Sequence, residues 1–219
     1  MPIGSSQTSQ IAQHGPNFLP SSPNVGLDAL DVQGDGDIEF SVSANGFVNH
    51  TAGSIYVRQQ NVYELDIVTG VITEIVNWAS LGINLQDLDA LDRLDANRYA
   101  ISTSTNQTVS HAGGSIYLRQ ENVYVVNVAT RTIQAAPLLN GAAIGLTSLG
   151  LDAVDIYPDG RVGFSTASNG FVTTPSGPFY VRQENAYVRS ANGSVVQALN
   201  GGGLQLQTLD ALTLGAGME

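Results

Sequence analysis

The chain has 219 residues, eight arginines against nineteen acidic side chains, no lysine and no cysteine, for a formal charge of -11. Disulfides and thiolate metal sites are excluded, and so negative a surface opposes nucleic acid and anionic membranes. With 42% hydrophobic residues the chain can bury a sizeable core, yet no apolar run is long enough to span a bilayer.

The first segment, residues 1–26, opens "MPIGSSQTSQIAQHGPNFLPSSPN". It has neither a basic n-region nor an apolar h-region, so no signal peptide is recognisable. It is rich in Ser, Gln, Pro and Gly and carries little apolar surface, which predicts an extended arm. Such a polar arm suits a subunit that grips a neighbour in an assembly.

The next segment, residues 27–87, reads as a run of short strands. "LDALDV" alternates, "QGDGD" is a turn cluster, and "IEFSVS" follows, a hairpin with Asp-Gly at its tip. "ANGFVNHTAG" reads as a polar loop before the strand "SIYVRQ". "NVYELDIV" and "VITEIVN" flank Thr69-Gly70 as a second hairpin. Helical periodicity is absent.

Residues 88–150 and 151–208 repeat this plan, and "LDALT" starts once more at Leu209. From the "LDA" strand through Tyr63, Tyr124 and Tyr187 the three copies align without a gap. Identical positions include Asp31/Asp92/Asp155, Ser41/Ser102/Ser165 and Asn45/Asn106/Asn169. All length variation falls in the segments that follow, which predicts exposed, tolerant connections. Units of about sixty residues that cannot bury their faces alone predict stacked, propeller-like blades. A pseudo-threefold β-prism is the main alternative, and a β-solenoid or trefoil-like barrel remains open. Residues 209–219 carry a fourth "LDA" strand with no hairpin after it. It reads as a closing strand and tail, with closure achieved either by it or by oligomerisation.

The sharpest repeated feature is Tyr-x-Arg-Gln-x-Asn-x-Tyr, in "YVRQQNVY", "YLRQENVY" and "YVRQENAY". Two readings compete. Arginine matches carboxylates bidentately, so Arg58, Arg119 and Arg182 could brace the aspartates of the "LDA" strands, Asp28, Asp89, Asp152 and Asp210. Alternatively, Tyr56, Arg58 and Asn61, with Tyr117, Arg119 and Asn122 and with Tyr180, Arg182 and Asn185, form three ligand sites. Their aromatic faces and donors suit sugars, and three copies give avidity.

Other chemistry is weakly supported. "DVQGDGD" places Asp31, Asp35 and Asp37 as in a calcium loop, but a hairpin turn explains this copy and its two relatives. His50 and His111 are equivalent, and the third copy has Thr174 instead. The Asn-x-Ser/Thr tripeptides at Asn49, Asn106 and Asn192 are expected by chance in this composition. No Ser/His/Asp set has local support, so no catalytic residue, metal or cofactor is assigned.

The run from "LDALDVQGDGDIEFSVS" to "NVYELDIVTG" resembles the "VDAL…DG…FS…DEDL…YDP.TG" repeats of some bacterial and archaeal surface proteins. The resemblance covers nearly all of residues 27–212 and implies a propeller-like fold and an extracellular location, with no assigned chemistry. Here "RQQN" or "RQEN" stands where the relatives have "DED", which takes away any cation site they carry there.

These features point to a non-enzymatic structural subunit of a virion or extracellular assembly, such as a phage decoration or tail component or a surface filament. It would be a homo-oligomer or would meet other assembly subunits, with no nucleic-acid or membrane partner. A multivalent glycan-binding, lectin-like module is the alternative, and a propeller hydrolase comes third.

Overall fold

The computed structural model describes residues 25–206. The extended arm, up to residue 24, and the closing strand with Asp210 lie outside the described residues. Within them the protein is all-β: short 3₁₀ turns occur, and no α-helix.

The first repeat gives β1 (Leu27–Val32), β2 (Ile38–Val42), β3 (Gly46–His50), β4 (Gly53–Val57), β5 (Val62–Leu65) and β6 (Ile72–Val76). Four of these form an antiparallel sheet in the order β1-β2-β5-β6, while β3 and β4 pair with each other. The second repeat repeats the plan with β7 (Ala90–Asp95), β8 (Arg98–Ser102), β9 (Gln107–His111), β10 (Gly114–Leu118), β11 (Tyr124–Asn127) and β12 (Thr132–Ile133). The third has β13 (Ala153–Ile156), β14 (Val162–Ser165), β15 (Gly170–Thr174), β16 (Gly177–Val181), β17 (Ala186–Arg189) and β18 (Val195–Leu199). Each four-stranded sheet is a blade with its "LDA" strand innermost. The inner strands lie side by side, β1 against β7 and β7 against β13. Blades, rather than prism sheets, are therefore what the repeats build.

The expected turns form for the expected reason. After β1, the Gly36 N–H donates to Gln33 O at 2.9 Å and the Gln33 N–H to Asp37 O at 2.8 Å. Gly36 has φ 97° and Gly160, its counterpart after β13, φ 84°, the left-handed region glycine enters without strain.

Two expectations need correction. "ANGFVNHTAG" is not a loop: it supplies β3, whose Val48 is buried while Phe47 and Asn49 face out. Val48 pairs with Ile55 in register, and Val57 closes the same inner face. The alternation is real, but a single buried apolar side chain in five residues gives a weak signal. The connections between blades are also more than exposed decoration. They carry Trp78, Ile83 and Leu85 into the core between the first and second blades, and Leu139, Ile144 and Leu146 into that between the second and third.

These inter-blade cores hold the array together. Ala29, Val76 and Trp78 of the first repeat meet Leu91, Tyr99 and Ile101 of the second. Ala90 and Ala100 meet Phe164 and Tyr187 in the next junction. The small alanines let the sheets approach, and each large apolar side chain buried against them contributes about 1.5–3 kcal/mol. The hairpins add to the same cores through Val109 and Leu118, and Val172 and Val181.

Candidate functional site

The Tyr-x-Arg-Gln-x-Asn-x-Tyr motif spans the end of each β3-type hairpin and the turn into the next blade strand. In that turn the Asn61 N–H donates to Arg58 O, Asn122 to Arg119 and Asn185 to Arg182, each at 3.0 Å. The glutamine amides are held from the side, by Asn45 Oδ1 to Gln59 at 2.9 Å, Asn106 to Gln120 at 2.9 Å and Asn169 to Gln183 at 2.8 Å. The second tyrosine is buried, and its hydroxyl accepts the arginine backbone N–H: Tyr63 from Arg58 at 2.7 Å, Tyr124 from Arg119 at 3.1 Å, Tyr187 from Arg182 at 2.6 Å. Half of the motif is thus a device for building one tight turn, and its three-fold occurrence follows from three identical turns.

The asparagines belong to that device. Asn122 Nδ2 donates to the Tyr124 hydroxyl at 3.0 Å, and its Oδ1 accepts from the Gly141 N–H at 2.9 Å. Asn185 does the same with Tyr187 at 3.2 Å and with Gly201 at 2.9 Å. A Cβ on Gly141 would stand 1.8 Å from Glu121 O, and one on Gly201 1.6 Å from Glu184 O, so only glycine lets the connection pass. The first repeat has Trp78 there. Its chain takes another course: Asn61 Nδ2 donates to Glu74 Oε2 at 2.7 Å, and Asn61 Oδ1 and the Trp78 indole nitrogen are buried without a hydrogen bond. Asn61, Asn122 and Asn185 are therefore buried structural groups, and they leave the expected ligand set.

Tyr56, Tyr117 and Tyr180 remain, 45%, 53% and 45% exposed on the outward faces of the hairpins. Each has its arginine beside the ring, with Cζ 5.7 Å from the centroid for Arg58 and 5.9 Å for Arg119 and Arg182. In two hairpins a second exposed aromatic joins edge-on, Phe47 on Tyr56 and Phe171 on Tyr180, with ring centroids 5.0 Å apart. The middle hairpin has Thr108 opposite Tyr117. The result is three equivalent ridges, each with an aromatic face and a guanidinium fork reaching solvent.

The brace reading fares differently. The three arginines are exposed, and the ion pairs of Arg119 and Arg182 run to Glu121 at 3.7 Å and Glu184 at 3.6 Å, not to the aspartates of the inner strands. Asp28, Asp89 and Asp152 sit half-buried at the inner strands. A cross-blade arginine–carboxylate pair does exist elsewhere. Arg93 on β7 binds Glu39 on β2, which is fully buried. Burial pushes Glu39 up to about 7, against the pull of Arg93. No repeat copy announces this pair: Glu39 aligns with Ala100 and Gly163, and Arg93 with Val32 and Ile156.

The repeated aspartates of the inner strands have their own task. Asp31 Oδ2 accepts the Arg93 N–H at 2.9 Å, and Asp92 Oδ2 accepts the Ile156 N–H at 2.7 Å, so the first and second blades each hold the inner strand of the next. Burial, with Asp31 and Asp155 nearby, raises Asp92 far above the ordinary carboxylate value. Asp35 and Asp37, the other members of the calcium-like run, serve the turn: they accept from the Asp37 and Ile67 N–H groups, both at 3.2 Å. Among the described residues no three His, Asp or Glu side chains converge as a metal site requires. His111 Nδ1 accepts from the Gly113 N–H at 3.0 Å in its hairpin tip.

No protein-family model and no curated protein sequence matches the chain. Among solved structures it is similar to virginiamycin B lyase from Staphylococcus aureus, at 8% identity and TM-score 0.39 over 83% of this chain and 71% of that one. It is also similar to the extracellular domain of the putative hybrid two-component system BT4673 from B. thetaiotaomicron, at 8% identity and TM-score 0.37. That match covers 84% of this chain and spans 29% of the other. YCF48 bound to the D1 peptide matches at 9% identity and TM-score 0.33 over 84% and 67%. The assignment of blades rests on the sheets themselves.

Proposed function

We propose that the protein is a non-enzymatic, multivalent recognition module that binds glycans through its three Tyr–Arg ridges. The observation behind this reading is that the same tyrosine and arginine are exposed in all three repeats while the asparagine and the second tyrosine of their motif are buried. A turn needs the asparagine, the glutamine amide and the second tyrosine. It does not need an exposed tyrosine with a guanidinium beside it, three times, on a chain with only eight basic residues. A tyrosine face packs against the apolar face of a sugar ring, and the arginine fork donates to hydroxyls. Each ridge is exposed and encloses little of a ligand, so one site binds weakly, and strength comes from several engaging one repeated glycan.

A glycan array followed by calorimetry with the captured polysaccharide tests this. The triple variant Arg58→Ala, Arg119→Ala, Arg182→Ala should lose binding while still unfolding cooperatively. Wild-type protein that captures no glycan would defeat the reading. Exposed Phe47 and Phe171 favour a second reading, a structural subunit of a virion or extracellular assembly that uses the ridges against its neighbours. In that case replacing both phenylalanines by serine changes the native mass, and the array stays empty.

A further inference from the structure

The three ridges are equivalent in place but not in charge. In the second and third, the residue two positions after the arginine is a glutamate that holds the guanidinium: Arg119 pairs with Glu121 at 3.7 Å and Arg182 with Glu184 at 3.6 Å. The first ridge has Gln60 at that position. Among the described residues no carboxylate lies within ion-pair distance of Arg58. Its guanidinium rests beside the Tyr56 ring, 5.7 Å from the centroid.

The lack of acid extends along the whole hairpin. From Phe40 to Tyr63 the chain has no Asp or Glu, while the matching stretches, 101–124 and 164–187, each contain one. Glu74 approaches the turn from β6, but Asn61 and Asn77 donate to its two oxygens at 2.7 and 2.9 Å. The formal charge of -11 opposes anions at long range. That field is screened beyond about 8 Å at physiological salt, so the acid-free surroundings of Arg58 decide what it meets.

The outward face of this hairpin also offers more groups than the others. The register sets Phe47 opposite Tyr56 and Asn49 opposite Ser54, all four exposed. Side chains two apart on a strand stand about 7 Å from each other. The aromatic pair therefore lies between a guanidinium at one end and an amide and a hydroxyl at the other. The third hairpin has the aromatic pair but sets Thr173 opposite Pro178 beyond it, and the second has Thr108 in place of the phenylalanine.

A sugar ring presents an apolar face and hydroxyl edges, and uronic and sialic acids add a carboxylate on the ring. A planar carboxylate fits a guanidinium through two parallel hydrogen bonds. In the other two ridges a ligand carboxylate would meet a like charge already beside the fork, which is unfavourable. Resting on the reading of the ridges as glycan sites, we propose that the first ridge is selective for a carboxylate-bearing sugar. Arg58 receives the carboxylate, the ring lies on Tyr56 and Phe47, and a hydroxyl meets Asn49. Two sources share that chemistry: a uronic acid within a polysaccharide, and a terminal sialic acid. The second and third ridges take neutral sugar faces.

The test is an amide NMR titration of the intact protein with tri-galacturonate against its methyl ester, and with 3′-sialyllactose against lactose. Saturable shifts at Phe47 and Tyr56 are expected with at least one of the acids. Its neutral counterpart should bind about tenfold more weakly, the worth of a charge-assisted hydrogen bond. The acid that binds more tightly names the source. Gln60→Glu gives the first ridge the carboxylate of the other two, and should weaken acid binding about tenfold without moving the affinity for the neutral sugars. Glu184→Gln should do the reverse, giving Tyr180 a response to acid that the wild type lacks. A neutral sugar bound as tightly as its acid, or acid affinity unmoved in Gln60→Glu, overturns the proposal and leaves the ridges as glycan sites. A hexaglutamate peptide that shifts the same amides with equal affinity overturns it in favour of an acidic protein segment. No shift at Phe47 or Tyr56 with either acid also overturns it, and the glycan array tests the broader reading independently.

Discussion

The backbone N–H of Ile156 on the third blade donates to the carboxylate of Asp92 on the second at 2.7 Å, and Asp92 lies beside Asp31 of the first. Three inner strands therefore meet around carboxylates that cannot all be charged at little expense. The folded protein holds Asp92 protonated to about pH 8, because burial and then the charge of Asp31 oppose ionisation. The unfolded chain loses that proton near the ordinary aspartate value. The native state thus binds more protons between these limits, and stability is greatest below the unfolded value and falls as pH rises toward about 8. Glu39, raised to about 7, adds a loss of the same sign. The melting temperature should fall between pH 5 and 8.5. Asp92→Asn, which keeps the acceptor for Ile156 and supplies a donor toward Asp31, should flatten that slope and melt higher than wild type at pH 8.

Arg93→Met tests the cross-blade pair. It leaves Glu39 buried without its partner, and breaking such a pair costs about 3–5 kcal/mol, less where the guanidinium is partly solvated, as here. Denaturant unfolding at pH 8 should show a loss of roughly 2–4 kcal/mol. The loss should shrink at pH 5, where Glu39 is neutral. A loss that is the same at both pH values would show that packing of the arginine stem, and not its charge, is what the junction needs.

Arg119→Ala should behave in the opposite way. The side chain is half exposed and its ion pair is loose at 3.7 Å. Its partner Glu121 is buried, so removing the arginine should cost about 1–2 kcal/mol, well short of the loss of a brace to the inner-strand aspartates. A loss of several kcal/mol in denaturant unfolding would restore the brace and count against the ridge as a recognition surface.

Gly141→Ala probes the turn. The added methyl would overlap the carbonyl of Glu121, a backbone atom that cannot swing aside. Overpacking of this kind costs about 1–3 kcal/mol or more. Gly34→Ala is the control, since nothing lies within 4 Å of its added Cβ. Equal unfolding midpoints for the two variants would mean that the second connection can adopt the course Trp78 imposes on the first.

Much of this architecture is legible in the residues. The gapless run from "LDA" to the second tyrosine of the motif gives the blade and its period, and Asp35-Gly36 gives its first turn. The division of the motif into exposed and buried halves is harder to read. Tyr56 and Val57 alternate as a strand should, but the turn at residues 58–61 interrupts the period, so the faces of Asn61 and Tyr63 cannot be counted forward from Tyr56. Glu39 and Arg93 stand 54 positions apart and have no counterparts in other repeats, so neither spacing nor repetition joins them. Trp78 is a similar case. Its place is held by glycine in both relatives, and only the altered course of the chain explains it.

The inner-strand aspartates also give the array a direction. Asp31 is made before the Arg93 amide that it accepts, and Asp92 before that of Ile156. During synthesis the first and second blades each leave the ribosome carrying an acceptor whose donor has yet to be translated. Synthesis from the amino-terminal end therefore presents each of these acceptors before its donor. A fragment ending at residue 95 keeps both partners of the first such bond, whereas a fragment beginning at residue 96 lacks the Asp92 carboxylate that receives Ile156.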